Sequence, residues 1–323
     1  MPESYLVPAL YALALIITGI IIRHIKILEP LTKPSFRILN VAILWVMLPT
    51  VVFVSIARYS WGQILSFCNA AILAFVGLGV CFALAVAISS LMHYNRKTTI
   101  AITLNSAFMN VTYLGLPLVY AMVGVGGLGP ASLYAVAIGI PHLALGVALA
   151  SGAAKKRANA RFVLENVLIF PATIALITAL LFVGFKAPLP DVAQNTFEDY
   201  LAKPFFALML LFVGYQMPIV DPRKYASKLA TVGTIRFLVG PLVTYALIML
   251  LGLTITGAGT DFESAKPGSA KPSLIQAIMP PAVFNIFLAY NFKLDLELYG
   301  AMVFYLTLIS LFVALPIMIF LVF

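Results

Sequence analysis

The sequence predicts an all-α integral membrane protein: ten transmembrane helices, arranged as two inverted five-helix repeats with broken, crossing helices 4 and 9. Three observations predict it. Of 323 residues, 63% are hydrophobic and 10% charged, with a mean hydropathy of +1.07. Soluble domains carry about 25% charged residues, and no soluble fold buries so much apolar surface. Ten apolar runs approach the roughly 20 residues that a spanning helix needs. The basic residues alternate strongly between successive connections.

The runs fall at 6–22, 38–57, 64–92, 100–123, 131–150, 167–185, 204–220, 229–253, 274–289 and 298–323. The third is long enough to tilt or overhang. The first is preceded by Glu3 and has no Lys or Arg before Arg23, so it lacks the basic region of a signal peptide and is expected to stay in the mature chain. The longest connections, near 186–203 and 254–273, hold Pro, Gly, Asp and Ser and read as loops. Cys68 and Cys81 share one run, thirteen residues apart, or roughly 20 Å along a helix. That is too far for a disulfide, and no metal framework is expected.

The net charge of +9 sits in short connections, which points to membrane orientation rather than to nucleic acid. Fourteen of the twenty Lys and Arg follow helices 1, 3, 5, 7 and 9: Arg23, Lys26, Lys33, Arg37, Arg96, Lys97, Lys155, Lys156, Arg157, Arg161, Arg223, Lys224, Lys228 and Lys293. The opposite side holds Arg58, Lys186, Lys203, Lys266 and Lys271. The positive-inside rule therefore places both termini outside a cell (plasma) membrane. Five helices per half force the halves into opposite orientations, a plan common among transporters. The expected units are 1–152, a short cytoplasmic linker at 153–161, and 162–323. Thr98 to Asn110 and Ser273 to Asn285 span equal intervals from helix start to asparagine, and helix 5 begins SLYA where helix 10 begins ELYG.

Residues 105–117, NSAFMNVTYLGLP, lie in the middle of the fourth run. Asn110, Thr112, Gly115 and Pro117 are poor choices for an uninterrupted membrane helix. Pro117 lacks an N–H and clashes with the carbonyl one turn earlier, so the ladder is expected to open near residue 113. An opened backbone is tolerated in lipid only where it lines a cavity or is buried in protein. Helix 9 repeats the disruption with Pro280, Pro281 and Asn285. One such helix reads more simply as a proline kink. Two, in corresponding places of opposite halves, point to a site where half-helix ends meet. The N-terminal ends would favour an anionic group, and Asn110 and Asn285 would add neutral donors and acceptors.

No Asp or Glu lies well inside any run, which argues against a cation path or a carboxylate proton relay, although carbonyls and hydroxyls can still hold sodium. Arg236 lies roughly 12 Å into helix 8. It either draws anions into a vestibule or snorkels to the interface, the simpler reading. His142 can titrate near neutral pH, but a neutral, hydrogen-bonded histidine is the simpler reading. Tyr113, Gln216, Gln276, Tyr305, Thr307 and Ser310 read individually as interhelical glue. Enzyme motifs are missing: no helical His/Glu metal pair, no Gly-x-Ser-x-Gly, no P-loop. GVGGLG at 124–129 follows no strand and joins two membrane helices. No cofactor is expected.

Four motifs in order carry a resemblance over nearly the whole chain. Asn110 stands seven residues before Pro117 in a Gly-Leu-Pro context; RFLVGP occupies 236–241, QAIMP 276–280 and ALPI 314–317. These resemble helices 4, 8, 9 and 10 of the auxin efflux carrier family, which includes the plant PIN-FORMED carriers and shorter prokaryotic carriers of small carboxylates. The resemblance implies that helices 1, 2, 6 and 7 form a scaffold and helices 3–5 and 8–10 a moving transport domain. It implies a secondary carrier, efflux type, working by elevator-like alternation without ATP, with a small organic anion held at the crossing of helices 4 and 9. Asn110, Asn285, Thr112 and Tyr113 are then the expected substrate contacts. Gly115, Pro117, Pro280 and Pro281 would hold the helices open, with Arg236, His142, Gln276 and Thr307 as accessory groups. The lipid bilayer is the expected surrounding, and a homodimer, the assembly of the plant members, a candidate assembly. The sequence departs from the plant pattern in its short central connection and in Asn285, which stands at a plant proline position. A sodium-coupled symporter of the bile-acid carrier type and a non-transporting membrane sensor remain alternatives.

Overall fold

The structure is a computed structural model that describes residues 3–154, 168–187, 189–190, 196–253, 255 and 270–322. The expected linker at 153–161, with Lys155, Lys156, Arg157 and Arg161, lies almost wholly outside the described residues, as do Glu165, Asp261, Lys266 and parts of the loops at 186–203 and 254–273. The described residues are helical apart from short connections and one antiparallel bridge, Met109 with Pro281.

In chain order the helices are α1 (Glu3–His24), α2 (Glu29–Ala57), α3 (Trp61–Leu91), α4a (Arg96–Ala107), α4b (Val111–Val123), α5 (Val125–Ala153), α6 (Pro171–Gly184), α7 (197–216), α8 (Arg223–Leu250), α9a (Lys271–Ala277), α9b (Phe284–Asn291) and α10 (Leu296–Leu321). Of these, α2, α3, α5, α8 and α10 are each long and apolar enough to cross a membrane, and shorter apolar segments lie in α1, α4b and α6. The 31 residues of α3 rise about 46 Å, well beyond a hydrocarbon core of about 30 Å. A capping box starts α3, with Ser60 N–H donating to Gln63 Oε1 at 2.9 Å. Asn95 and Asp295 cap α4a and α10 by accepting from Thr98 N and Leu298 N, each at 3.0 Å.

Prolines leave a recurrent mark. Pro49, Pro117, Pro204, Pro241 and Pro316 each follow a wide turn, in which the residue before the proline bonds the carbonyl five residues back. Proline lacks an N–H and crowds the carbonyl four residues back. Widening the preceding turn relieves both problems without ending the helix. Pro117 accordingly does not break helix 4. The backbone leaves the helix upstream, at Phe108–Asn110, and the wide turn Val111–Gly115 absorbs the proline.

Helix ends gather in two groups. Arg23 of α1 donates to Tyr215 O of α7 at 2.9 Å, Tyr94 after α3 meets Ser227 of α8 at 3.0 Å, and Lys224 of α8 pairs with Glu297 of α10 at 3.1 Å. This end carries the basic connections. At the other end Tyr120 of α4b donates to Glu198 of α7 at 3.0 Å, and Tyr59 before α3 donates to Gly126 O of α5 at 3.2 Å.

Two packed pairs flank the crossing helices. α1 lies against α7 and α6 against α2. The α1–α7 approach demands glycine: a Cβ on Gly19 would stand 2.1 Å from Leu211 O, and one on Gly214 2.0 Å from Ile16 O. Small residues let backbones approach this closely where lipid supplies no hydrophobic drive. α3 packs on α4a, α5 and α8, and α10 packs on α4a, α8 and α9b.

Candidate functional site at the helix crossing

The two interrupted helices cross back to back. Asn110 N–H donates to Pro280 O at 2.8 Å, and Ala282 N–H donates to Phe108 O at 3.0 Å. Each break thus uses the other's backbone to satisfy groups that neither lipid nor its own helix can serve. Pro280 and Pro281 contribute no donors, which suits them to the crossing. The reciprocal pair fixes the register: Met109 faces Pro281, so Asn110 occupies on its strand the place that Ala282 has on the other. The matched intervals ending at Asn110 and Asn285 therefore differ from the register of the crossing by three residues.

Beside the crossing lies a cavity of about 460 Å³, within the usual range of about 300–1,000 Å³ for ligand pockets. Asn110, Val111, Thr112 and Tyr113 of α4 line it, with Gly139, His142 and Leu143 of α5 and Ala282, Val283, Phe284 and Phe287 around α9b. The far wall is Asn40, Leu44 and Leu48 of α2 and Phe212 and Gln216 of α7. Among its lining residues Phe287, Tyr290 and Leu296 are exposed, the last two flanking the connection that carries Lys293. The lining is largely apolar and contains neither a carboxylate nor a lysine or arginine.

Asn110 is buried, and its side-chain Nδ2 has no acceptor. A buried donor left without an acceptor costs roughly 1–3 kcal/mol. Helix geometry also leaves the first N–H groups of α4b without intrahelical acceptors, and they carry the positive end of the helix dipole. Tyr113 sends its hydroxyl to Asn40 Oδ1 at 3.0 Å and lies over Phe212, 5.5 Å between ring centres, so it links α4b to α2 and α7.

Asn285 has a different setting. It is fully buried and absent from the cavity wall. Its Oδ1 lies 2.8 Å from His142 Nε2, and its Nδ2 donates to Leu104 O and Asn105 Oδ1, each at 3.2 Å. Asn105 in turn donates to Ala101 O at 2.8 Å. Because the amide Nδ2 faces two acceptors, Oδ1 must accept from His142, which places a proton on Nε2. The imidazole stacks on Phe108 at 4.3 Å with an interplanar angle of 1°, and Phe284 meets it edge-on at 5.0 Å. His142 is thus clamped between the break of helix 4 and α9b while lining the cavity.

The remaining expected residues lie behind the crossing. A Cβ on Gly115 would stand 1.9 Å from Gln276 Oε1, so the glutamine side chain of α9a packs directly on this glycine. Gln276 is fully buried, its Nε2 reaching Ala131 O at 3.5 Å. Thr307 bonds its own helix at Val303 O, 2.7 Å. Arg236 neither snorkels nor reaches the cavity; it is fully buried against the crossing. Sequence reasoning missed Asn40 and Asn105 as members of the polar network. Each is an asparagine inside an apolar run, which is the signal that could have found them.

Apolar helices that pack around a backbone crossing, with a polar-ended cavity beside it, define the architecture of a membrane transport protein. The membrane transport protein family matches residues 15–319, and the chain belongs to this family, that of the auxin efflux carriers. An uncharacterized transporter of Methanothermobacter thermautotrophicus is 23% identical over 309 residues, covering 95% of each chain. An uncharacterized transporter of Methanocaldococcus jannaschii is 24% identical over 296 residues, covering 89% of this chain and 90% of its own.

Proposed function

We propose that this protein is a secondary carrier of efflux type for a small organic anion, a carboxylate, which binds in the cavity beside the crossing of α4 and α9. The observation that carries this reading is Asn110 Nδ2, a buried donor without an acceptor on the wall of a cavity that contains no carboxylate. A carboxylate oxygen satisfies such a donor with a charge-assisted bond, and the α4b N-terminus adds favourable potential. His142 shapes the floor, held there by Asn285, so Asn285 acts through His142 and not by contact. Thr112 and Tyr113 complete the polar end.

The arrangement of the helices supports an elevator-like alternation. The cavity lies between α4, α5 and α9 on one side and α2 and α7 on the other. In this reading α1, α2, α6 and α7 are the static scaffold and the rest is the moving domain. The pairs α1–α7 and α2–α6 are what a ten-helix inverted repeat would produce, since helix 6 repeats helix 1 and helix 7 repeats helix 2. The basic connections would face the cytoplasm of a plasma membrane, with both termini outside. Residues of the rear wall, Asn40 and Gln216, would exchange partners as the moving helices slide.

Uptake of radiolabelled mono- and dicarboxylates into proteoliposomes, wild type against Asn110→Ala, tests this reading. Carboxylate uptake that is lost on substitution supports it. Uptake that is unchanged removes the site assignment, and ligand binding without counterflow would instead favour a sensor.

A further inference from the structure

Away from the crossing, α8 meets α10 along a groove of about 680 Å³ that shares no lining residue with the central cavity. The residues that α8 turns to it recur at spacings of three and four, one face of a helix. Ala226, Ala230, Gly233 and Thr234 lie along this face, and their short side chains leave the space open. Tyr305, Leu306 and Ile309 of α10 form the other wall. Two contacts set the spacing of the helices: a Cβ on Gly233 would stand 3.2 Å from Leu306 Cδ2, and Tyr305 donates to Val220 O at 2.6 Å. Ala226, Ala230, Thr234, Leu238 and Ile309 are exposed, so the groove opens to the surroundings and not into the bundle. Its lining is apolar except at one end, where Arg223 stands.

Arg223 is exposed at the first residue of α8, at the end of the molecule that carries the basic connections. Its guanidinium has no carboxylate partner among the described residues. The acids of this rim hold other donors: Asp221 Oδ1 accepts from Arg223 N–H at 3.0 Å, Glu297 Oε2 accepts from Lys224 at 3.1 Å and from the Tyr225 hydroxyl at 3.0 Å, and Asp295 caps α10. Lys228 lies over the Tyr94 ring, 5.7 Å from its centre. The positive end of the α8 dipole adds to the same potential. From Arg223 to Leu238 the groove follows fifteen residues of helix, roughly 22 Å. One leaflet supplies about 15 Å of hydrocarbon and a headgroup layer about 5–7 Å deep, which is the same length. A soluble anion would use the charge and leave the apolar length unfilled; a neutral lipid would do the reverse. We propose that this groove binds one anionic phospholipid from the leaflet at the basic end, its phosphate on Arg223 and an acyl chain running between α8 and α10 as far as Phe237 and Leu238. Basic residues at clefts between membrane helices hold anionic headgroups in this way, and the bound lipid ties α8 to α10. The inference holds whatever the central cavity carries.

The test uses the full-length protein purified in mild detergent, with phosphatidylglycerol or phosphatidylcholine of equal chain length added, followed by native mass spectrometry and thermal unfolding. Wild type is expected to retain one phosphatidylglycerol per chain in preference to phosphatidylcholine, and its midpoint to rise by about 5 °C at a hundredfold excess over Kd. Glycerol phosphate, a headgroup without chains, is expected to leave the midpoint in place. Arg223→Gln removes the charge at an exposed position and is expected to weaken phosphatidylglycerol binding about fivefold, with phosphatidylcholine unaffected. Ala230→Trp fills the groove and keeps the charge; it is expected to abolish retention of the lipid while the lipid-free midpoint stays near wild type. Equal retention of the two lipids by wild type, a phosphatidylglycerol preference that survives both substitutions, or an equal response to glycerol phosphate overturns the proposal. So does a dimer that Ala230→Trp splits while phosphatidylglycerol retention persists, since that outcome gives the groove to a second copy of the chain.

Discussion

The two breaks that cross at the centre of this protein share a backbone solution and differ in what their side chains do. In helix 4, Asn110 stands on the cavity wall with a buried amide Nδ2 that has no acceptor. In helix 9, Asn285 spends its whole amide on His142, Leu104 and Asn105. The reciprocal bonds between Asn110 and Pro280 and between Ala282 and Phe108 make the crossing nearly symmetric in its main chain. In the proposed reading, substrate contact falls to one side of that symmetry and support to the other. The lesson is that equal residue types at equal intervals do not define equal roles. The register of the backbone, not the spacing from the helix start, decides which side chain reaches the cavity.

The sharpest way to break this comparison is to remove each amide in turn. Asn285→Ala strands His142 Nε2 and Asn105 Oδ1 in a buried setting, and at roughly 1–3 kcal/mol per stranded group we expect a loss of about 3 kcal/mol. It should appear as a lower unfolding midpoint of the purified protein without any ligand. Asn110→Ala deletes a donor that has no partner, so the ligand-free midpoint should hardly move. Carboxylate affinity should fall by about 10- to 100-fold, the worth of one hydrogen bond to a charged group. Equal midpoints for the two variants would erase the distinction between them.

Finer tests address the frame around the two amides. Gly115→Ala places a methyl where Gln276 Oε1 lies, and overpacking of this kind costs about 1–3 kcal/mol. Adding Gln276→Ala should recover most of that loss, and failure to recover would mean that the backbone, not the glutamine, sets the approach. Tyr113→Phe removes one bond to Asn40 across α4b and α2. We expect the smallest effect there, about 1 kcal/mol or less, read as a change of a few-fold in uptake rate with the midpoint unchanged.

Much of the architecture was legible in the sequence because lipid imposes simple rules. Apolar runs marked the helices, and the connections after helices 1, 3, 7 and 9 do gather at one end, as Arg23, Tyr94, Lys224 and Glu297 show. Asn110, Pro280 and Pro281 were legible as oddities in apolar runs. Three things were not. The break lies upstream of Pro117, because a wide turn can absorb a proline and the sequence does not reveal where hydrogen bonding shifts by one residue. Asn285 lies inside α9b, three residues past Ala282, the residue that matches Asn110 in the register of the crossing, and that register is set by backbone pairing between the two helices. Arg236 turns away from the interface because two carbonyl ends converge on it, and that convergence exists only in three dimensions.

The central claim is that the free amide of Asn110 holds the carboxylate of the transported anion. Its most direct test is isothermal binding of a panel of small carboxylates to wild type, Asn110→Ala and Asn110→Asp in detergent. The account predicts binding to wild type, a large loss for Ala and a larger one for Asp, whose charge repels the ligand in a cavity without cations. Equal affinities across the three proteins would contradict it.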